Sequence, residues 1–150
     1  MADLSIPLDR EPQFIAKIGF EPAFEVRLDF EPVRAEQTPH GERRMRKIIG
    51  GAISGKIEGT VYPNGGGDYS LGRPDGVTDL NTHIVLRDRK GEWLYIRNIG
   101  YARTDGYQRV TSWVDADVRS DHSWVLGLFF VGVIEPLGRD AALIRYSEVL

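Results

Sequence analysis

The alternation of apolar and charged residues between positions 24 and 30 most constrains what this chain can fold into. Every second residue in this segment is Phe, Val or Leu, and each residue between them carries a charge. A period of two is typical of a strand with one buried face and one face in water. The segment therefore predicts a half-buried β-strand.

More strand-like runs follow at short intervals, at residues 43–49, 56–62, 82–87, 92–98, 109–118, 124–134 and 141–149. The run 124–134 is apolar at nearly every position, which also suits a buried helix, but Gly127, Gly132 and its β-branched and aromatic residues favour a strand. Residues 33–42 are predicted to form a polar loop. Residues 1–22 contain three prolines and predict an N-terminal arm that wraps the domain or packs on a partner.

Short connections between these runs make neighbouring strands antiparallel. Residues 88–91 predict a turn that pairs 82–87 with 92–98. A sheet of eight or nine strands must protect its edges, and closure into a barrel does so. We therefore predict an all-β fold, a small closed antiparallel β-barrel over residues 23–150, with a two-sheet sandwich as the alternative. A barrel of about eight strands holds side chains or one small ligand inside.

Composition excludes several classes of protein. The 150 residues suit one domain, and the absence of cysteine excludes disulfides and a cysteine nucleophile. A net charge of -3 argues against a general nucleic-acid binder. The N-terminus has no secretory pattern and no apolar run reaches ~18 residues, so we expect a cytoplasmic protein with no membrane span.

Three consecutive glycines, Gly65 to Gly67, precede Asp68 directly after a strand-like run. Glycine permits positive φ and close approach of other groups to the backbone. Such a loop predicts that Asp68 points into a cavity as a ligand-facing or catalytic carboxylate. The alternative is a surface turn in which Asp68 hydrogen-bonds its own backbone.

A series of residues then occurs in an order that resembles one known family. They are Gly50-Gly51, Gly55, Gly59, the segment from Asn64 to Tyr69, Arg73, Asp75-Gly76, Gly91, Asn98, Gly100, Tyr107, Arg109, Trp124, Phe130-Val131-Gly132, Tyr146, Glu148 and Val149. Over residues 18–150 the chain resembles the bacterial domain-of-unknown-function 3237 family. The resemblance implies a compact antiparallel β-barrel, lipocalin-like in shape, and no single agreed activity.

The chain departs from that family at Asn81-Thr82-His83-Ile84, where the resemblance implies a run like Asp-Ala-Arg-Tyr. Asn81 and His83 share one face of a strand, while Thr82 and Ile84 share the other. If the first face lines the barrel interior, Asp68 and His83 provide a base and an acid on one ligand. The alternative is that Ile84 faces the core and His83 faces water.

Cations and polar residues elsewhere offer further ligand contacts. The basic run at 43–47 is either a charged, solvated edge strand or a source of one inward cation, Arg44 or Lys47. Asn98 precedes a strand end followed by Tyr107 and Arg109, whose polar tips suit the mouth of a barrel. Three widely spaced histidines, no phosphate-binding glycine motif and no nucleophile elbow argue against a metal, nucleotide or serine-hydrolase site.

The sequence thus favours a barrel that binds a small hydroxylated molecule, either aromatic or aliphatic. We expect cofactor-independent acid/base chemistry, such as a lyase, aldol-type cleavage or isomerisation, with Asp68 and His83 as catalytic residues. Arg44, Lys47, Asn81, Asn98, Tyr107 and Arg109 are the predicted substrate-binding residues. A ligand carrier or sensor, or an oligomeric accessory protein, is the alternative, and the exposed apolar face of 124–134 predicts a homo-oligomer, most simply a dimer.

Overall fold

A computed structural model describes residues 17–150, and these residues form strands joined by short turns. Within this range ten strands follow one another: β1 (Phe20–Phe30), β2 (Arg34–Thr38), β3 (Gly41–Gly55), β4 (Gly59–Val61), β5 (Gly67–Gly72), β6 (Thr78–Asp88), β7 (Trp93–Ala102), β8 (Gln108–Ala116), β9 (Phe130–Pro136) and β10 (Ala141–Val149). Residues 1–16 of the predicted N-terminal arm lie outside the described residues, and residues 20–22 of the predicted arm belong to β1.

Eight of the described strands close into an antiparallel barrel. The strand order is β1, β10, β9, β8, β7, β6, β5 and β3, and β3 pairs again with β1. Of the two additional strands, β2 forms a hairpin with β3, and β4 lies between β3 and β6. The predicted closed β-barrel is therefore confirmed.

The alternation seen in the sequence sorts side chains between the two faces of the barrel wall. Val26 and Leu28 of β1 are fully buried inside, while Glu25 and Arg27 are exposed outside. The predicted hairpin is also confirmed, because β6 and β7 pair in register from Thr82 opposite Asn98 onwards. The wall therefore presents every second residue of each strand to the interior.

One end of the barrel is closed by the segment between β8 and β9. A single turn of 3₁₀-helix, Ser123–Val125, places Trp124 edge-on against Phe130, with ring centroids 6.2 Å apart. The predicted strand over 124–134 is thus wrong in its first part, since β9 begins only at Phe130. Gly127 adopts φ 78°, which breaks an extended chain.

The opposite end is formed by the turns that join β5 to β6, β7 to β8 and β9 to β10.

Two predicted segments differ from the structure. The segment 33–42, predicted to be a polar loop, contains the strand β2. Nearly all residues of β2 are exposed, so its sequence has no alternation of apolar and polar residues from which a strand could be predicted. Of the strand predicted over 56–62, only Gly59–Val61 is a strand in the structure, β4. Among residues 17–150, no helix is long and apolar enough to cross a membrane.

Candidate functional site

The Asp68 side chain points into the barrel, on the same face of the wall as the buried Thr82. It lies opposite Arg46 of β3 and opposite Thr82 of β6, so all three side chains share the inner face. The preceding loop is fixed to β3 by backbone hydrogen bonds from Asn64 N–H to Ile48 O (2.9 Å) and from Ile48 N–H to Gly66 O (3.2 Å). The triglycine loop thus positions the Asp68 carboxylate in the barrel interior.

Two neighbours hold the Asp68 carboxylate. Arg46 Nε donates to Oδ2 at 3.3 Å, and the Ser70 hydroxyl donates to Oδ1. Arg46 is itself placed by Phe30, whose ring centroid lies 3.7 Å from the guanidinium carbon, and by the Arg139 carbonyl at 3.4 Å. The Asp68 and Arg46 side chains are only 14% and 23% exposed, so this ion pair is largely withdrawn from solvent.

A cavity of about 370 Å³ opens above this carboxylate at the end of the barrel opposite Trp124. Its lining is Val33, Arg44, Arg46, Asp68, Ser70, Thr78, Leu80, Ala102 and Gln108. We call this space the mouth cavity. A mixed lining of this size suits one small molecule with both apolar and polar groups.

Of the predicted cations, the structure brings Arg44 into the site and leaves Lys47 out. Arg44 donates to Glu42 at 2.6 Å and to Thr78 Oγ1 at 3.3 Å, and it lines the mouth cavity. Lys47 is exposed on the outer face, because it lies one residue beyond the inward Arg46. The predicted inward role for Lys47 is therefore wrong.

His83 and Asn81 also lie on the outer face, so the expectation that they face the interior is wrong. On β6 the inward residues are Leu80, Thr82 and Ile84, and alternation turns the residues between them outward. His83 Nδ1 lies within hydrogen-bond distance of Tyr95 Oη, and its ring meets the edge of Tyr69. Because the barrel wall separates His83 from Asp68, the two cannot act on one atom of a ligand.

Asn98 points inward on β7, opposite Thr82, and is fully buried. Tyr107 and Arg109, in contrast, lie near the turn between β7 and β8 and line an outer groove with Tyr101 and Val133. Arg109 sits opposite Val133 on the outer face of β9. The expected placement of Tyr107 and Arg109 in the mouth is therefore wrong.

Sequence reasoning missed Arg46, Ser70, Thr78 and Gln108 as lining residues. The pattern did contain a signal for two of them, since Ser70 shares the strand face of Asp68, and Arg46 shares that of Arg44. Within residues 17–150, no group of three or more Asp, Glu or His side chains is placed to hold a metal ion.

The family model described as "Protein of unknown function (DUF3237)" matches residues 18–130. The chain belongs to this family. Two relatives are UPF0311 proteins: one from Bradyrhizobium diazoefficiens is 35% identical over 45% of this chain, and one from Clostridium acetobutylicum is 33% identical over 57%. The matched segments span 44% and 56% of the lengths of these relatives.

Solved structures similar to this DUF3237 chain share its fold. A protein of unknown function from Clostridium acetobutylicum has a TM-score of 0.80 at 24% identity, covering 88% of this chain and 99% of that one. A β-barrel-like protein from Acinetobacter baumannii has a TM-score of 0.80 at 23% identity, covering 90% and 98%. A protein from Penicillium herquei, described as an enzyme, has a TM-score of 0.74 at 19% identity, covering 90% and 96%.

Proposed function

We propose that the mouth cavity binds a small hydroxylated molecule and that Asp68 accepts a proton from it. One observation carries the proposal: a carboxylate that is only 14% exposed lies in the wall of a cavity, between a guanidinium and a hydroxyl. Carboxylates so shielded from solvent make strong hydrogen bonds to ligand hydroxyl groups. Val33, Leu80 and Ala102 offer an apolar wall that suits a planar ring.

The same arrangement supports acid/base chemistry without a cofactor. A positioned carboxylate is a general base, and negative charge that develops on the ligand is stabilised by nearby guanidinium groups. Arg44 and Arg46 both line the cavity. A lyase, aldol-type cleavage or isomerisation begins with such a proton removal. The description of the Penicillium herquei protein as an enzyme agrees with a catalytic use of this fold.

Binding is tested with 4-propylphenol, which carries one hydroxyl and an apolar ring. We expect the backbone amide signals of Ser70 and Thr78 to shift on titration in NMR spectra. Asp68→Asn should weaken binding about tenfold, since a charge-assisted hydrogen bond is replaced by a neutral one. The matched control is Asp115→Asn, which changes an exposed carboxylate on the outer face of β8. Equal affinity in all three proteins would refute the role of Asp68.

Proton abstraction is tested in deuterated water with 2-hydroxy-1-phenylethanone, an aromatic ketone whose hydroxyl sits on the carbon next to the ketone, so that a base at the hydroxyl also reaches the C–H group. If Asp68 acts as a base, the folded protein should accelerate hydrogen–deuterium exchange next to the ketone, and Asp68→Asn should abolish the acceleration. A ligand carrier without catalytic activity is the second candidate function. Both carboxylate oxygens of Asp68 already accept a hydrogen bond within the protein, one from Arg46 and one from Ser70, so Asp68 can hold a ligand without acting as a base. Binding of the ketone without any accelerated exchange would favour the carrier.

A further inference from the structure

We infer that the molecule bound in the mouth cavity is a small hydroxy acid, whose carboxylate is held by Arg44 while its hydroxyl meets Asp68. Because this ligand also uses Asp68, the assignment rests on the proposed function. It adds the class of the substrate and the residue that selects it.

The Arg44 guanidinium has hydrogen-bond donors to spare. Its Nε donates to Glu42 Oε1 at 2.6 Å, and its Nη1 donates to Thr78 Oγ1 at 3.3 Å. The remaining N–H groups, one on Nη1 and both on Nη2, have no partner among residues 17–150. The Arg44 side chain is 42% exposed and lines the mouth cavity, so a ligand can reach these groups. N–H groups on two neighbouring nitrogens match the two oxygens of a carboxylate.

The acidic partner of Arg44 lies on the side away from the mouth cavity. Glu42 lines a neighbouring hollow of about 380 Å³ together with Gly72 and Val77, and it is not among the described residues that line the mouth cavity. Arg44 and Thr78 line both spaces, so they separate one from the other. Glu42 therefore holds the Nε edge of the guanidinium and leaves the cavity side to a second carboxylate.

Gly72 provides the space that the guanidinium occupies. A Cβ atom on Gly72 would lie 3.1 Å from Arg44 Nη2 and 3.4 Å from Arg44 Cζ, tighter than most real contacts of a Cβ atom. Because Gly72 has no side chain, the guanidinium packs against the backbone of β5. This packing keeps Nη2 beside the cavity.

Arg46, the other guanidinium of the cavity lining, is taken up by Asp68. Its Nε donates to Asp68, its Nη1 donates to the Arg139 carbonyl, and the Phe30 ring covers its face. Its charge offsets that of Asp68 within the partly buried ion pair. Arg44 is therefore the cation that has N–H groups available to an anionic ligand.

Strand register sets the depth of the two groups. Arg44 and Arg46 lie two residues apart on β3, opposite Ser70 and Asp68 respectively. Two residues of a strand span about 6.6 Å, so Arg44 lies one step nearer the mouth than Asp68. A hydroxy acid can thus place its hydroxyl at Asp68 and keep its carboxylate near solvent, where a charge loses least hydration. Its hydrocarbon part then lies between the two groups, beside Leu80.

The test uses three phenols that differ at one end. 4-Propylphenol ends in a methyl group, 3-(4-hydroxyphenyl)propanoate carries a carboxylate in its place, and 3-(4-hydroxyphenyl)propanamide carries a neutral amide of similar shape. In calorimetric titrations at pH 7, the propanoate should bind about tenfold more tightly than either neutral compound, the ratio expected for a charge-assisted hydrogen bond. In NMR spectra the Arg44 Nε signal should shift further with the propanoate than with 4-propylphenol.

Variants separate the carboxylate site from the proposed function. Arg44→Gln removes the charge and should reduce the ratio of propanoate to propanamide affinity to about one, whereas Arg44→Lys keeps the charge and should retain part of the ratio. The matched control is Arg43→Gln, at the next residue of β3, whose guanidinium contacts the Tyr69 carbonyl and lines a different hollow; it should keep the full ratio. If Arg44→Gln fails to fold, the comparison of propanoate with propanamide on the unmodified protein decides.

Three outcomes overturn the inference. If the propanoate binds the unmodified protein no more tightly than the propanamide while 4-propylphenol still binds, the carboxylate site is refuted and the proposed function stands. A full preference for the propanoate that survives in Arg44→Gln refutes the assignment to Arg44, since another cation then holds the carboxylate. If none of the three compounds binds, the inference and the proposed function are refuted together.

Discussion

Gly66 shows what the triglycine loop requires at the level of a single residue. A Cβ atom placed on Gly66 would lie 2.0 Å from the backbone oxygen of His83. Gly66 does not use the positive φ that glycine permits; in this loop Asn64 does, at φ 60°. The glycine is needed for close approach of the loop to β6, and this approach places Asp68 inside the barrel.

Gly66→Ala should therefore lower the free energy of unfolding by about 1–3 kcal/mol, the usual cost of an overpacked site. It should also weaken 4-propylphenol binding, because the loop must move and carry Asp68 with it. Chemical denaturation and the titration described above measure the two effects. Gly50→Ala is the matched control, since a Cβ there meets nothing within 4 Å and should change stability by less than about 0.5 kcal/mol.

At the level of an element, the β6–β7 hairpin is held by Asp88. Its Oδ1 accepts from the backbone N–H of Lys90 (2.8 Å) and of Glu92 (2.7 Å), and its Oδ2 lies 2.7 Å from His122 Nε2. Burial acts to raise the pKa of Asp88, but the hydrogen bonds from His122, Glu92 and Lys90 outweigh it and hold the pKa below its usual range. The turn is thus tied to the segment that closes the barrel.

Asp88→Asn should reduce stability at pH 6 by about 1–3 kcal/mol, because it removes the charge that these donors stabilise. A carboxyl with a lowered folded pKa adds stability above its unfolded pKa and loses it as pH falls through the folded value. The gap between the two proteins should therefore close in acid. Urea unfolding between pH 6 and pH 2 measures it, with Asp121→Asn as an exposed control. A gap that widens in acid contradicts this assignment.

At the level of the whole molecule, the outer face of β7, β8 and β9 carries an apolar groove of about 680 Å³. Tyr101, Tyr107 and Val133 line it, and Trp113 is 53% exposed on the same side of β8. Exposed aromatic groups gathered on one face are typical of protein interfaces. Tyr107 and Arg109, which lie outside the mouth cavity, line this groove as well.

We expect this groove to form the two-fold interface of a homodimer, the commonest closed assembly. Val133→Asp should convert the dimer to a monomer without unfolding it, since Val133 is already 40% exposed. Sedimentation velocity measures the change, and Val118→Asp, at a residue 76% exposed in the segment after β8, is the control. A monomeric unmodified protein at high concentration would refute the dimer.

Local patterns were sufficient to predict the barrel, because alternation and turn residues act over a few positions. Residues 24–30 identified β1, the Asp88–Gly91 turn identified the β6–β7 hairpin, and residues 141–149 matched β10. The interior position of Asp68 was also predictable, since its loop and strand are contiguous. The strand predicted over residues 124–129 is wrong, because a run of apolar residues occurs both in a segment that closes the end of a barrel and in a buried strand.

Which side of β6 faces inward depended on the tertiary structure alone. An alternating strand has two faces, and only pairing with β5 and β7 decided that Thr82 points inward and His83 outward. The convergence of Arg46, Asp68 and Ser70, and the burial of Asn98 against Ser112 and Tyr146, likewise arise from contacts between residues far apart in the chain. Periodicity establishes that a strand has two faces, but barrel closure selects the one that meets a ligand, because register links residues that no local pattern connects.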